Sequence, residues 1–141
     1  VDAVVPLLFS VMDETASPLL RQNMEAAGLG AEAAMEADWG EFNLKHAING
    51  FMYCNLPGLQ AARGSTLRLL LLGMGSEVDM HSPVFTGQVL SGKSTAYQTA
   101  ELMPTVTRVV DVRLEQAGSW PVYCAVHDHY TAGMRATLEV Q

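Results

Sequence analysis

The chain has 141 residues, enough for one domain with a real core, and its 49% hydrophobic and 16% charged residues exclude a disordered chain. A net charge of −7 argues against nucleic acid and anionic membranes as partners. No run approaches the roughly 18 apolar residues a membrane helix needs, so no membrane contact is expected of this domain.

The opening "VDAVVPLLFSVMDE" lacks the basic start of a signal peptide, and the chain reads as a mature form or a piece of something longer. Residues 3–13, "AVVPLLFSVMD", read as a strand, with Pro6 pointing to an edge or a strand start. Residues 17–27, "SPLLRQNMEAA", read as a short helix with Ser17 as cap and Pro18 in the first turn. Residues 28–40 are a Gly- and Ala-rich connector with room for one helical turn, and from Glu41 onward strands and turns are expected. Asn49-Gly50 signals a hairpin. "STLRLLLLGM", "VFTGQVL", "VTRVVDVRLEQ", "WPVYCAV" and "MRATLEV" are further strand candidates, and Val110, Val112 and Leu114 alternate with polar neighbours. Short strands at close spacing predict an all-β sandwich or barrel formed as a single domain over residues 1–141.

"GQVLSGKST", residues 87–95, matches the phosphate-loop pattern through Gly87, Gly92, Lys93 and Ser94. That pattern acts through a helix N-terminus following a buried strand. "STAYQTAELMPT" has room for a turn or two of helix before Pro104, but strands then resume and no strand–helix alternation exists. A nucleotide is therefore not expected as a ligand. The two cysteines, Cys54 and Cys124, make no disulfide framework.

The stretch that carries chemistry is "YCAVHDHYTAGM", residues 123–134, where Cys124, His129 and Met134 follow at intervals of five. A thiolate, an imidazole and a thioether on one loop, joined by a second imidazole, form the ligand set of a blue copper site. His81 in "EVDMHSPVF" is the best second imidazole. The alternative is that these are ordinary core residues, since Met and free Cys are common there.

"LFSVMDET", "HAINGFMYCNLPGL", "LLGMGSEVDMHSPVFTGQVL" and "GSWPVYCAVHDHYTAGM" together resemble a cupredoxin domain of the ceruloplasmin and hephaestin family of multicopper ferroxidases, to which coagulation-factor A domains are related. The similarity runs nearly end to end, with residues 17–40 matching poorly. It implies a Greek-key cupredoxin sandwich with one short helix near the N-terminus. It also implies type 1 copper on His81, Cys124, His129 and Met134, all four present. The family's iron-site positions fall on Glu41, His46 and Asp128, with Fe(II) as substrate, and Glu77 matches a carboxylate lent to the iron site of a neighbouring domain. By the same resemblance, the completing carboxylate here comes from elsewhere, the partners are other cupredoxin domains of the same protein, and the setting is extracellular or a membrane-anchored ectodomain. Read singly, Glu41 is also a solvated residue before a strand, His46 a satisfied strand histidine and Asp128 a loop cap. His127 matches no ligand position and reads as an exposed loop residue.

The chain departs from the family where a trinuclear copper cluster would be bound. Val84, Thr86, Tyr123, Ala125 and Thr131 stand at the family's histidine positions. The resemblance therefore implies a domain that oxidises Fe(II) by one electron and passes that electron on, without reducing O2 alone. Two other functions remain open at this point: a non-catalytic assembly module like those of the coagulation factors, and a simple electron carrier. Cys54, before "NLPGL", reads as a small core residue at a turn, with an interdomain disulfide as the alternative. A Cys54–Cys124 bond is not expected, because it would abolish the copper site.

Overall fold

Two β-sheets face each other across one apolar core. The computed structural model describes residues 1–30, 39–92 and 96–141. The strands are β1 (Ala3–Asp13), β2 (Leu44–Ile48), β3 (Gln60–Ala61), β4 (Thr66–Met74), β5 (Pro83–Phe85), β6 (Leu90–Ser91), β7 (Ala96–Tyr97), β8 (Thr107–Arg113), β9 (Gly118–Cys124) and β10 (Arg135–Val140). One sheet has the order β2-β1-β4-β8-β6-β7 and the other β3-β10-β9-β5. Strand β1 pairs antiparallel with β2 and parallel with β4, and β3, which lies between β2 and β4 in sequence, belongs to the other sheet, so the chain crosses between layers as a Greek key does.

Alternation puts every second side chain of β4 inward: Leu67, Leu69 and Leu71 are buried, as are Val110 and Val112 of β8. Leu7 and Phe9 of β1 join them, and Phe85, Val122, Ala136 and Leu138 close the core from the smaller sheet. Pro6 pairs only with Leu70, because β2 begins to pair with β1 at Phe9; the proline therefore lies where β1 is locally an edge. Asn49 (φ 52°) and Gly50 (φ 81°) make the expected two-residue turn between Ile48 and Phe51. The Asn49 side chain then ties that turn to β1, accepting from Leu8 N–H at 2.7 Å and donating to Pro6 O at 3.0 Å.

The expected N-terminal helix is α1 (Leu20–Ala26). Two five-residue helices were not expected as such: α2 (Trp39–Asn43), which includes Glu41, and α3 (His127–Thr131), which includes Asp128 and His129. Residues 31–38 of the connector lie outside the described residues.

The stretch read as one strand, "VFTGQVL", is two strands in different sheets, β5 and β6, parted by a turn at Gly87. Gly87 has φ +71°, and a Cβ there would lie 2.4 Å from the Trp120 ring. A Cβ at Gly92 would lie 1.7 Å from the Tyr97 hydroxyl. Gly87 is thus required by its left-handed backbone and by aromatic packing, while Gly92 meets only the far end of the exposed Tyr97 side chain. Lys93 and Ser94 fall outside the described residues, and residues 96–104 contain strand β7 and no helix. No described helix is long and apolar enough to cross a membrane.

Candidate metal centre

The sheet ends bring distant segments together at one pole of the sandwich. Cys124 ends β9, His129 lies on α3, and Met134 immediately precedes β10. Backbone bonds close this loop on itself, from Cys124 N–H to Met134 O and from Met134 N–H to His129 O. His81 arrives from the segment between β4 and β5, pinned by a two-way backbone bridge to Leu102. Met134 and Cys124 are fully buried and His81 nearly so, with His129 at 6% exposure.

The donor atoms of His81, Cys124 and His129 lie within 4.8 Å of one another. Among the described residues no other trio of His, Cys, Asp or Glu donors is so tightly gathered. His81 Nε2 lies 2.9 Å from Met74 O. A carbonyl only accepts, so Nε2 carries the proton and Nδ1 keeps its lone pair. That Nδ1 is buried without a partner. Cys124 Sγ accepts from Ser82 N–H at 3.3 Å and lies 3.6 Å from His129 Nδ1. A soft sulfur, two imidazole nitrogens and an orphaned lone pair suit copper, and a second-sphere carbonyl orients the ring as metal-binding histidines require.

Burial lowers the His81 pKa, and it pushes His129 down to about 4, with His81 and His46 adding to the effect. Burial raises the Cys124 thiol, against the N–H groups of Ser82 and Val126. Metal loading at these groups therefore meets neutral imidazoles but must displace a thiol proton.

Beside this cluster opens a cleft of about 500 Å³ lined by Glu41, His46, Asp79, Asp128 and His129 together with Asp13 and Ser76. All three sequence-selected groups Glu41, His46 and Asp128 line it, and Glu77 does not. Glu77 is exposed. His46 is only 4% exposed, yet neither ring nitrogen has a hydrogen-bond partner. Burial lowers its pKa while Glu41, Asp79 and Asp128, in that order, oppose the shift. The reading of His46 as a satisfied strand histidine is therefore set aside. The His46 and His129 rings are 4.9 Å apart, so the cleft and the Cys124 cluster share a wall.

Asp79 was missed in the sequence. It lies in "EVDMH", two residues before His81, and that adjacency was its only signal.

Cys54 is exposed rather than a core residue, on a backbone with φ 63°. It and Cys124 are both free. His127 is exposed, as expected. Two larger grooves lie elsewhere. One beside Tyr97 and Arg108 touches none of these donors; the other, of about 620 Å³, is lined by Thr86, Tyr123 and Ala125, the residues at family cluster positions.

No protein-family profile matches the chain. Human hephaestin is 35% identical over 142 residues, and sheep ceruloplasmin 34% identical over 142, each across 99% of the chain. The chain spans only 12% of the former and 14% of the latter. Among solved structures, a multicopper oxidase from Campylobacter jejuni superposes on 98% of the chain with a TM-score of 0.67 at 13% identity, covering 30% of that protein. A copper nitrite reductase from Thermus scotoductus gives 0.66 at 14% identity over 99% of the chain and 31% of its own. The solved structures share the two-sheet cupredoxin fold, and with the Cys–His cluster the sequence likenesses make the chain similar, nearly end to end, to one domain of hephaestin and ceruloplasmin.

Proposed function

We propose that this chain is the copper-bearing, iron-oxidising domain of a larger multicopper ferroxidase, acting on Fe(II). The observation that carries the reading is the shared wall: the His46 ring of the acidic cleft lies 4.9 Å from the His129 ring of the thiolate cluster, tilted by 47°. When bound, a type 1 copper on His81, Cys124, His129 and Met134 supplies a one-electron acceptor tuned by the thiolate and thioether.

The chain's own residues do the rest. Glu41, His46 and Asp128 receive Fe(II) as substrate, and hard oxygen donors favour the Fe(III) product. One electron leaves each Fe(II), and no proton transfer is needed at these groups. Asp128 precedes His129 in the chain, so the donor site and the thiolate cluster are joined through consecutive residues. Burial of His129 and His81 keeps water from the thiolate.

Val84, Thr86, Tyr123, Ala125 and Thr131 offer no imidazole, so reduction of O2 falls to another cupredoxin domain of the same protein. Glu77 serves the iron site of a neighbouring domain, a role that its exposure supports. The setting is that of an extracellular or membrane-anchored ectodomain. The test is copper loading followed by anaerobic Fe(II). An intense blue thiolate-to-copper absorption is expected, absent in Cys124→Ser and bleached by one Fe(II) per copper. A fully loaded chain without blue colour, or one that Fe(II) leaves blue, overturns the proposal.

A further inference from the structure

The acidic cleft holds two carboxylates that the sequence did not assign: Asp79, and the exposed Asp13, which accepts from Thr15 N–H. We propose that Asp79 is a further ligand of the cation bound by Glu41, His46 and Asp128. The inference rests on the reading of the cleft as a metal site.

Three observations place Asp79 there. First, its carboxylate lines the cleft with only 15% side-chain exposure, while Glu77 is exposed and lies off it. Second, its orientation is fixed. Oδ2 accepts from Ser76 N–H, and the side chain rests against Gly75, where an added Cβ would lie 2.5 Å from Asp79 Cβ. Oδ1 is left free of that turn, 3.8 Å from His129 Nε2, at the wall between cleft and thiolate cluster. Third, His46 is buried on the same cleft with both ring nitrogens unpartnered, a donor with nothing in the protein to donate to. Asp79 is also among the carboxylates acting on the His46 ring, after Glu41 and ahead of Asp128.

Glu41, Asp79 and Asp128, with the exposed Asp13 at the rim, line the cleft around His46 with carboxylates. Hard oxygens beside one imidazole suit a first-row divalent cation such as Fe(II) or Co(II).

Asp79 also ties its own turn, and a purely structural role must be separable. Asn at this position keeps an oxygen to accept from Ser76 N–H and removes the charge. The copper-loaded chain is titrated with Co(II), which does not reduce blue copper, by calorimetry. Asp79→Asn should weaken Co(II) binding by about tenfold or more, as Asp128→Asn does, with the blue spectrum unchanged. Glu77→Gln should bind as the parent does. Wild-type affinity in Asp79→Asn, with His46→Ala and Asp128→Asn both weakened, overturns the inference and leaves the cleft a metal site. A parent chain that takes up no Co(II), or His46→Ala binding as the parent does, overturns both readings. If Asp79→Asn loses its blue spectrum, Asp79→Glu is used instead. It moves the oxygens by one methylene, and unchanged Co(II) affinity there also overturns the inference.

Discussion

His46 and His81 between them bury three ring nitrogens without partners, at the pole where the sequence clusters its metal-binding residue types. An unpaired buried polar atom costs about 1–3 kcal/mol, so folding the metal-free chain works against these groups. Burial also holds His46, His81 and His129 below the ordinary imidazole value, with His129 lowered from 6.5 to about 4. Between those pH values the unfolded chain binds protons that the folded chain does not. Stability of the metal-free chain should therefore rise with pH from about 4 to about 6.5 and then level off. Urea midpoints measured in chelator across this range test the point. A midpoint that stays flat or falls as pH rises through the window would contradict the burial of neutral imidazoles.

At the scale of elements, the turn at Gly87 decides which sheet the chain enters. The alternating "VFTGQVL" gave no reason to break, yet Trp120 packs over the glycine and φ is +71°. A Gly→Ala change here meets both a left-handed backbone and an aromatic face. Gly87→Ala should lower stability by about 2 kcal/mol or more in urea unfolding. A loss below about 0.5 kcal/mol would mean that Trp120 yields freely. The reason this bend was not legible is physical: it is imposed by a tryptophan 33 residues away in sequence, not by local propensity. Helices α2 and α3 were hidden for a different reason. Five residues are too few to show a helical period, so Glu41 read as a solvated residue before a strand and Asp128 as a loop cap. By contrast β1, β4, β8 and the Asn49-Gly50 turn were plain, because alternation and turn chemistry are local. Cys124, His129 and Met134 were legible because one loop carries all three. Asp79 was not, because its position depends on Gly75 and Ser76 folding the segment back on itself.

At the scale of the molecule, the converging imidazole and thiolate donors of the described residues gather at one site. The groove containing Thr86, Tyr123 and Ala125 is lined instead by groups such as Tyr130 and Arg135, whose guanidinium lies 4.9 Å over the Tyr130 ring. Tyr123 packs edge-on against Tyr130 at 5.3 Å. This groove sets a single imidazole, His127, and the thiol of Cys54 beside aromatic and cation–π contacts, where a multinuclear site would need several converging imidazoles. The copper-loaded chain, given excess Fe(II) and air, should therefore consume O2 no faster than free Fe(II) does under the same conditions, by oxygen electrode. Catalytic uptake proportional to protein would show an oxygen site that these residues do not provide. The central claim is that iron gives its electron through the cleft wall formed by His46 and His129. Stopped-flow bleaching of the blue band measures it directly, with Fe(II) and with ascorbate as a donor that needs no cleft ligand. His46→Ala should slow bleaching by Fe(II) at least about tenfold and leave the ascorbate rate unchanged; equal Fe(II) rates in the two proteins would contradict the account.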